Sequence, residues 1–179
     1  MPRVPKVSEA HLEARREQIL AGARRCFARW GYEGATVPRL EREIGLSHGA
    51  IFNYYRSKLD LFFELAKRDH ERFHELWQSE GFGGLARHIA EEDPAWLAVY
   101  LEFQRLLRTD PALARRWKKR APVEHRHPEA GYLRTDVPAE TLHEFAHTVL
   151  NGLVLMRTSG TDVDIAPIVA LVEETLRPR

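Results

Sequence analysis

IGLSHGAIFNYYRSKLDLF, residues 44–62, is the most informative stretch of this sequence because it indicates a tight turn between two helices. Before it, Thr36 precedes apolar residues at helical spacing, which predicts a short helix over Val37–Ile44 with the Thr36 hydroxyl as its N-cap. Gly45 would end that helix, since glycine adopts the left-handed conformation at low cost. Ser47 is an N-cap candidate for a second helix.

A second helix beginning near His48, with Ala50, Ile51 and Tyr54 or Tyr55 at helical spacing, would complete a helix-turn-helix, in which the second helix lies in the DNA major groove. The residues placed nearest the bases are Ser47, His48, Gly49, Ala50 and, further along, Asn53. The small residues Gly49 and Ala50 would let the helix backbone approach the bases closely. Lys58 follows the helix at a position suited to a phosphate contact. The stretch therefore predicts DNA binding.

A wider set of residues matches a known pattern. In chain order these are Ile19, Ala23, Phe27, Gly31-Tyr32, Gly34-Ala35-Thr36-Val37, Ile44, Gly45, Gly49, Tyr54, Lys58 and Asp60-Leu61-Phe62. With them, residues 16–62 resemble the DNA-binding domain of the TetR family of repressors, over about a quarter of the chain. Carried over by position, the resemblance implies DNA contacts at Thr36, Ser47, His48, Gly49, Asn53, Tyr54 and Lys58.

The distribution of charge separates two parts of the chain. Through Asp60 there are 11 basic and 7 acidic residues, and from Leu61 onward there are 16 basic and 19 acidic residues. The overall net charge of +1 indicates no class of partner by itself. A basic N-terminal part joined to an acidic remainder is typical of a nucleic-acid-binding module attached to a second domain. We therefore predict an N-terminal arm and DNA-binding domain over residues 1–60 and a second domain over residues 61–179.

Composition limits the classes of protein to consider. With 179 residues and 44% hydrophobic content, the chain can bury a core. No apolar run approaches the roughly 20 residues that cross a bilayer, and no signal peptide is visible. Cys26 is the one cysteine, which excludes an intramolecular disulfide and makes a reducing cytoplasm the expected location. The sequence has no Gly-rich phosphate loop, nucleophile elbow or HExxH, so we predict neither an enzyme nor a cofactor.

Helical periodicity continues after the first domain and no strand-like alternation is present, so we predict an all-α protein. A long connecting helix from about Leu61 should be broken by Gly81, Gly83 and Gly84. Residues 120–138, rich in proline, are predicted to form a loop. The other predicted helices cover residues 85–90, 94–107, 111–119 and 139–156, followed by a last helix that Pro167 opens or interrupts.

The last two predicted helices have apolar faces wider than one contact requires. These faces comprise Leu142, Phe145, Ala146, Val149, Leu150, Leu153 and Val154, then Ile165, Ile168, Val169, Leu171, Val172 and Leu176. Such faces need two neighbours, and we predict that the second is the same pair of helices in another copy of the chain, packed as a four-helix bundle. A helix-turn-helix that reads a palindrome also needs two heads about 34 Å apart. The alternative is that both helices are interior to one chain.

The family resemblance further implies a repressor that is released from DNA by a small molecule held among the C-terminal helices. Such a ligand must favour the arrangement in which the two heads are wrongly spaced for DNA. The candidate lining residues are Trp96, Tyr100, Phe103, Arg105, Arg108, His143, His147, Asn151 and Glu173. The segments LRTDP (107–111), LRTDVP (133–138) and LVEET (171–175) are similar to the actinobacterial aconitase repressors, a TetR-type group associated with citrate-like ligands. That similarity implies a carboxylate ligand, or its metal complex, held by arginines and Glu173.

Two other functions remain open at this level. The i, i+4 pairs His70 with His74 and His143 with His147 each put two imidazoles on one helix face, as in a metal-dependent enzyme. No third ligand is assured, so we predict no metal site. A nonspecific architectural DNA-binding protein would bind all duplexes with similar affinity, whereas a regulator favours its operator by several kcal/mol. The sequence best fits a dimeric repressor: an N-terminal three-helix helix-turn-helix domain and a C-terminal helical domain for ligand binding and dimerisation.

Overall fold

The computed structural model describes residues 9–120 and 134–178, and every regular element in these ranges is an α-helix. This confirms the predicted all-α fold class. The helices are α1 (Glu9–Gly34), α2 (Val37–Ile44), α3 (His48–Phe52), α4 (Lys58–Glu91), α5 (Pro94–Thr109), α6 (Pro111–Arg120), α7 (Ala139–Thr158) and α8 (Ile165–Leu176). The predicted N-terminal arm and most of the predicted loop over residues 120–138 lie outside the described ranges.

The helices form two compact units, one ending at Ala66 and the other beginning at Lys67, so the boundary falls within α4. Helix α2 has the predicted bounds, and α5, α6 and α7 end one or two residues beyond the predicted positions. Helix α3 differs from the prediction because it ends at Phe52. Tyr54 and Tyr55 therefore follow this helix and do not lie in it.

In the N-terminal unit, α1 and α2 pack so closely that a side chain at Gly22 would collide with backbone. A β-carbon there would lie 2.7 Å from the Cα of Ile44. Helix α1 also bonds the end of α2: Gln18 Nε2 donates to the Ile44 oxygen over 3.1 Å, and Arg25 Nη2 donates to the Glu43 oxygen over 3.1 Å. These bonds satisfy acceptors that a helix end leaves open. Helix α1 thus fixes the position of α2.

Three aromatic rings fill the centre of the same unit. Phe27, Tyr32 and Phe62 have centroid separations of 5.3 to 5.8 Å, within the range of favourable ring contacts. Helix α1 bends just before Tyr32, at Gly31, whose φ of 70° lies in the left-handed region that favours glycine. After this bend, the ring of Tyr32 packs against the rings of Phe27 and Phe62.

In the C-terminal unit, the predicted break of α4 occurs at one glycine. Gly81 has φ 64°, whereas Gly83 and Gly84 continue the helix, so the prediction that all three interrupt it was wrong. Gly83 and Gly84 instead leave room for neighbouring side chains. A β-carbon at Gly83 would lie 2.5 Å from Glu173 Oε1, and one at Gly84 would lie close to the Cβ of Glu80. The predicted helix over residues 85–90 is part of α4 beyond the break.

The core of the C-terminal unit combines α4, α5, α7 and α8. Its buried residues are Phe82, Ala86, Ile89, Leu97, Leu142, Ala146, Leu153, Val172 and Leu176. The end of α8 is held by Arg134, whose N–H donates to the Leu176 oxygen over 2.9 Å while its guanidinium donates to both carboxylate oxygens of Asp136. Arg134, the arginine of the segment LRTDVP, therefore forms hydrogen bonds within the fold.

Candidate nucleic-acid interface

The turn between α2 and α3 has the backbone geometry that the sequence predicts. Gly45 has φ 75°, and its N–H donates to the Glu41 oxygen over 2.9 Å. Ser47 is the N-cap of α3, and its hydroxyl oxygen accepts from the Ala50 N–H over 3.5 Å. The chain therefore turns between α2 and α3 within three residues, and Ser47 and His48 at the start of α3 are exposed.

The start of α2 is held by Arg39, not by a Thr36 cap. Thr36 occupies the N-cap position, but its hydroxyl makes no capping hydrogen bond, so that prediction was wrong. Pro38 gives the reason: as the second residue of α2 it has no N–H, which removes one of the two amides that such a hydroxyl bonds. Instead, Arg39 Nη1 donates to the Gly34 oxygen over 2.7 Å, and its guanidinium lies 4.0 Å from the centroid of the Trp30 ring.

His48, the first residue of α3, is oriented by two neighbours that the sequence did not single out. Its N–H donates to the Glu41 Oε1 over 2.5 Å, so one amide at the start of α3 is satisfied within the unit. Its imidazole lies 4.6 Å from the ring of Phe52, one turn further along. The exposed imidazole therefore packs against an aromatic ring, which restricts its orientation.

Gly49 is the residue of the helix-turn-helix that packing explains least. A β-carbon placed on it would meet no atom of the described residues within 4 Å, and its φ is not in the left-handed region. Glycine costs a helix about 1 kcal/mol relative to alanine. Since neither space nor backbone conformation within the fold requires glycine here, the bare backbone at this position suits close approach by a molecule from outside.

The residues after α3 divide between surface and internal contacts. Asn53 is exposed and Tyr54 is half-buried. The ammonium of Lys58 donates to the Tyr32 oxygen over 2.8 Å and to the Glu33 oxygen over 3.4 Å. Lys58, the residue predicted to contact a phosphate, therefore already joins the start of α4 to the end of α1.

All eight residues predicted to contact DNA lie in the N-terminal unit, at the start of α2, around α3 and at the start of α4. The exposed ones are Thr36, Ser47, His48, Gly49 and Asn53, and the half-buried ones are Ala50, Tyr54 and Lys58.

The nine residues predicted to line an effector cavity are distributed over several places in the C-terminal unit. Trp96 and Tyr100 are bound to one carboxylate: the indole Nε1 donates to Asp69 Oδ2 over 2.7 Å, and the phenol hydroxyl donates to the same oxygen over 2.8 Å. Phe103 is buried against Trp117, with a centroid separation of 5.3 Å. These three aromatic residues therefore have packing roles in the fold.

The remaining predicted effector residues lie on α5, α7 and α8. On α7, the rings of His143 and His147 are parallel with centroids 6.3 Å apart, and Asn151 Nδ2 lies 3.3 Å from His147 Nδ1. His143, His147 and Asn151 therefore share a helix face. Arg105 and Arg108 on α5 and Glu173 on α8 are exposed.

A cavity of about 180 Å³ lies elsewhere in the C-terminal unit, and none of the nine predicted residues lines it. Its wall is apolar where α4 and α7 meet, at Ile89 and Leu153, and polar where α7 ends, at Arg157, Thr161 and Asp162. A cationic and an anionic side chain at the rim of an apolar cavity are suited to a small polar ligand. The sequence did not indicate this cavity, because its lining residues come from helix ends and a turn that are far apart along the chain.

Within residues 9–120 and 134–178, no group of three or more His, Cys, Asp or Glu side chains is arranged to hold a metal ion. No helix in the part of the chain that the structure describes is long and apolar enough to cross a membrane.

Comparison with known proteins identifies the family. The family model for bacterial regulatory proteins of the tetR family matches residues 19–65. The HTH-type transcriptional repressor Rv1474c of Mycobacterium tuberculosis is 44% identical over 185 residues, which covers 97% of this chain and 99% of that protein. This chain belongs to the TetR family. A second relative within the TetR family, the HTH-type transcriptional repressor AcnR of Corynebacterium diphtheriae, is 41% identical over 190 residues, covering 97% of each chain.

A solved structure has the same fold over most of the chain. The structure of GusR from Salmonella enterica superposes with a TM-score of 0.69 and covers 96% of this chain and 98% of that one, at 21% sequence identity. The two relatives named above are transcriptional repressors, which agrees with the function predicted from the helix-turn-helix. The sequence resemblance to TetR proteins over residues 16–62 is thereby confirmed.

Proposed function

We propose that the chain acts in the cytoplasm as a homodimeric repressor that binds a palindromic operator through α3 and is released by a small-molecule effector. The single observation that supports the DNA contact best is the open backbone at Gly49. The proposed contacts are Thr36, Ser47, His48, Gly49, Ala50, Asn53, Tyr54 and Lys58. The half-buried phenol of Tyr54 and the exposed imidazole of His48 flank the bare backbone in sequence, so they can reach DNA groups on either side of it.

The dimer is supported by the outer faces of the last two helices. Leu155 and Met156 on α7 are 59% and 44% exposed, Phe145 is 39% exposed, and Leu171 on α8 is 65% exposed. On α7, Phe145, Gly152 and Met156 lie on one face at spacings of seven and four residues, with Leu155 beside them, and a β-carbon at Gly152 would meet no atom of the described residues within 4 Å. Large apolar side chains beside a bare backbone fit close helix-to-helix packing with a second copy, and a two-fold axis makes such a face self-complementary.

The effector is proposed to occupy the cavity at the end of α7. Arg157 offers a cation for a carboxylate ligand, as implied by the resemblance of the LRTDP, LRTDVP and LVEET segments, and Asp162 offers an oxygen ligand for an accompanying cation. The alternative place for the effector is among the nine residues predicted from the sequence. Thermal unfolding of the wild type, Arg157→Gln and His147→Ala with a panel of di- and tricarboxylic acids, with and without Mg²⁺, separates the two. Stabilisation lost only in Arg157→Gln supports the cavity, and stabilisation lost only in His147→Ala supports the α7 face.

Selection of bound duplexes from a random DNA pool at physiological salt tests the proposed function. A recovered palindrome supports a sequence-specific dimeric regulator, whose affinity for it should exceed that for random duplex by roughly 4–10 kcal/mol. The absence of enrichment in the effector-free protein favours the alternative of a nonspecific architectural DNA-binding protein. On the recovered site, Tyr54→Ala should weaken binding while sedimentation still shows a dimer; unchanged affinity would contradict the docking through α3.

The dimer face has its own test. The double variant Leu155→Arg/Leu171→Arg introduces two cations into the proposed contact and should sediment as a monomer with weakened operator binding. Gln104→Arg, at an exposed position on α5, is the matched control and should remain dimeric. A dimeric double variant would place the contact between copies elsewhere.

A further inference from the structure

Helix α6 carries the densest run of positive charge in the chain. The sequence RRWKKR, residues 115–120, places five basic residues within six positions, inside the part of the chain that otherwise has an excess of acids. The structure describes the side chains of four of them, and all four are exposed: Arg115, Arg116, Lys118 and Lys119.

The four cations lie on the side of α6 that faces away from its packing contact. Trp117 is half-buried against Phe103, and Leu113, one turn earlier, lies on the same side of α6. Arg115, Lys118 and Lys119 are spaced i, i+3 and i+4, which places them together on the opposite side of the helix, with Arg116 beside them. The helix is therefore amphipathic, with its apolar side covered by α5 and its basic side open.

These cations also lack the counter-charges that accompany several other cations of the unit. Lys67 pairs with Glu71 at 3.6 Å, Arg72 with Glu75 at 3.8 Å, and Arg87 with Glu80 at 2.9 Å. No carboxylate within residues 9–120 and 134–178 forms an ion pair with the basic residues 115, 116, 118 and 119. Four like charges left unneutralised within five positions repel one another, so an external polyanion would relieve the repulsion.

We propose that the basic face of α6 is a second, sequence-independent contact for the phosphate backbone of double-stranded DNA. The surface consists of Arg115, Arg116, Lys118 and Lys119. This contact is additional to operator recognition by α3 and does not depend on which sequence α3 reads. Duplex DNA is the polyanion that a TetR-family protein meets at its site of action, and phosphate contacts require cations without base-reading groups. An anionic membrane is disfavoured because a surface helix binds lipid through a free apolar face, whereas Trp117 is packed against Phe103.

Salt dependence of binding to a duplex without an operator tests the proposal. The variant Arg116→Gln/Lys119→Gln should show a shallower slope of log affinity against log salt, by up to about 0.9 for each cation that contacts a phosphate. The matched control Lys67→Gln/Arg72→Gln removes the same charge from two exposed cations that already have carboxylate partners, and its slope should equal that of the wild type. Equal slopes in both variants would overturn the proposal.

A second measurement uses the unmodified protein and does not depend on the folding of any variant. Lysine acetylation followed by mass spectrometry should show Lys118 and Lys119 protected by nonoperator duplex, with Lys67 modified equally in the presence and absence of DNA. The same protection should persist in Tyr54→Ala, so loss of operator recognition and loss of the α6 contact give different results. Protection absent from both lysines, or binding to phosphatidylserine vesicles without protection by DNA, would refute the DNA contact.

Discussion

The ammonium of Lys58 donates to the carbonyl oxygen of Tyr32 over 2.8 Å and lies 4.6 Å from the centroid of the ring of the same residue. One side chain thus bonds both the backbone and the aromatic face of a residue 26 positions earlier. The lysine therefore fastens α4 to the end of α1, and the proposed phosphate contact would add a second role that the same substitution removes.

Lys58→Ala should lower the free energy of unfolding as well as the affinity for DNA. It removes a hydrogen bond from a charged donor and a cation–π contact, together worth about 1–3 kcal/mol at a half-buried site. Denaturant unfolding of the full chain measures the free energy of unfolding, and operator titration measures the affinity for DNA. Arg56→Ala is the control, because Arg56 is exposed two residues earlier and should leave unfolding unchanged. Equal stability of the two variants would contradict the structural role.

Gly49→Ala should separate folding from DNA binding. The new methyl group meets no atom of the described residues, and alanine favours a helix by about 1 kcal/mol over glycine, so stability should stay constant or rise. Operator affinity should fall by tenfold or more if the backbone of α3 approaches the bases. Gly45→Ala is the opposite case, since a φ of 75° strains alanine and should destabilise the unit by about 1 kcal/mol. An unaltered operator affinity in Gly49→Ala would remove the main support for the proposed docking.

Asp69 should contribute more to stability than its half-buried position suggests. Its carboxylate accepts from the fully buried indole of Trp96 and from Tyr100, so Asp69→Ala leaves the indole N–H without this acceptor and should cost about 1–3 kcal/mol or more. Tyr100→Phe removes one donor and keeps the other pair intact, and should cost about 0.5–1.5 kcal/mol. Thermal denaturation of the two variants should therefore rank them in that order, and a reversed order would show that the carboxylate is not the centre of the cluster.

Cys26 should be unreactive in the folded protein. Burial, assisted by the nearby charge of Glu43, raises the pKa of its thiol above the ordinary value of 9.0. Iodoacetamide at pH 8 should therefore label Cys26 only in denaturant. The raised pKa means that the unfolded chain loses this proton first as the pH increases, so the thiol lowers stability only above the pKa of the unfolded state. Cys26→Ala should lack that alkaline component, and an identical stability profile up to pH 10.5 in both proteins would contradict the assignment.

The sequence was sufficient for the parts of the fold that depend on local rules. The bounds of α2 follow from the apolar spacing after Thr36 and from Gly45, both of which act within a few residues. The end of α3 was missed because Tyr54 continues the helical spacing, although the chain turns after Phe52. Periodicity identifies which residues share a face but does not show where a helix of five residues stops.

The contacts of the candidate sites were predictable only in part, because they join distant positions. The bond from Trp96 to Asp69 spans 27 residues. The indole nitrogen of Trp96, a residue predicted to line the effector cavity, therefore already donates to a carboxylate of the protein. The support of His48 by Glu41 depends on the direction in which one carboxylate points across a turn. Neither relationship leaves a pattern in a single sequence, whereas Gly49 and Ser47 do, since glycine is unusual within a helix and serine is favoured at an N-cap.

The contact between Gly22 and Ile44 has a consequence for how operator preference can change. Because a side chain at Gly22 would displace the backbone at Ile44, any larger residue there would shift α2, the turn and α3 together. A genetic selection for altered promoter choice should therefore recover substitutions in α1 as well as in the base-facing residues. Comparing base-facing residues alone would then misjudge which paralogues share target genes, since the same amino acids can be presented at a different angle.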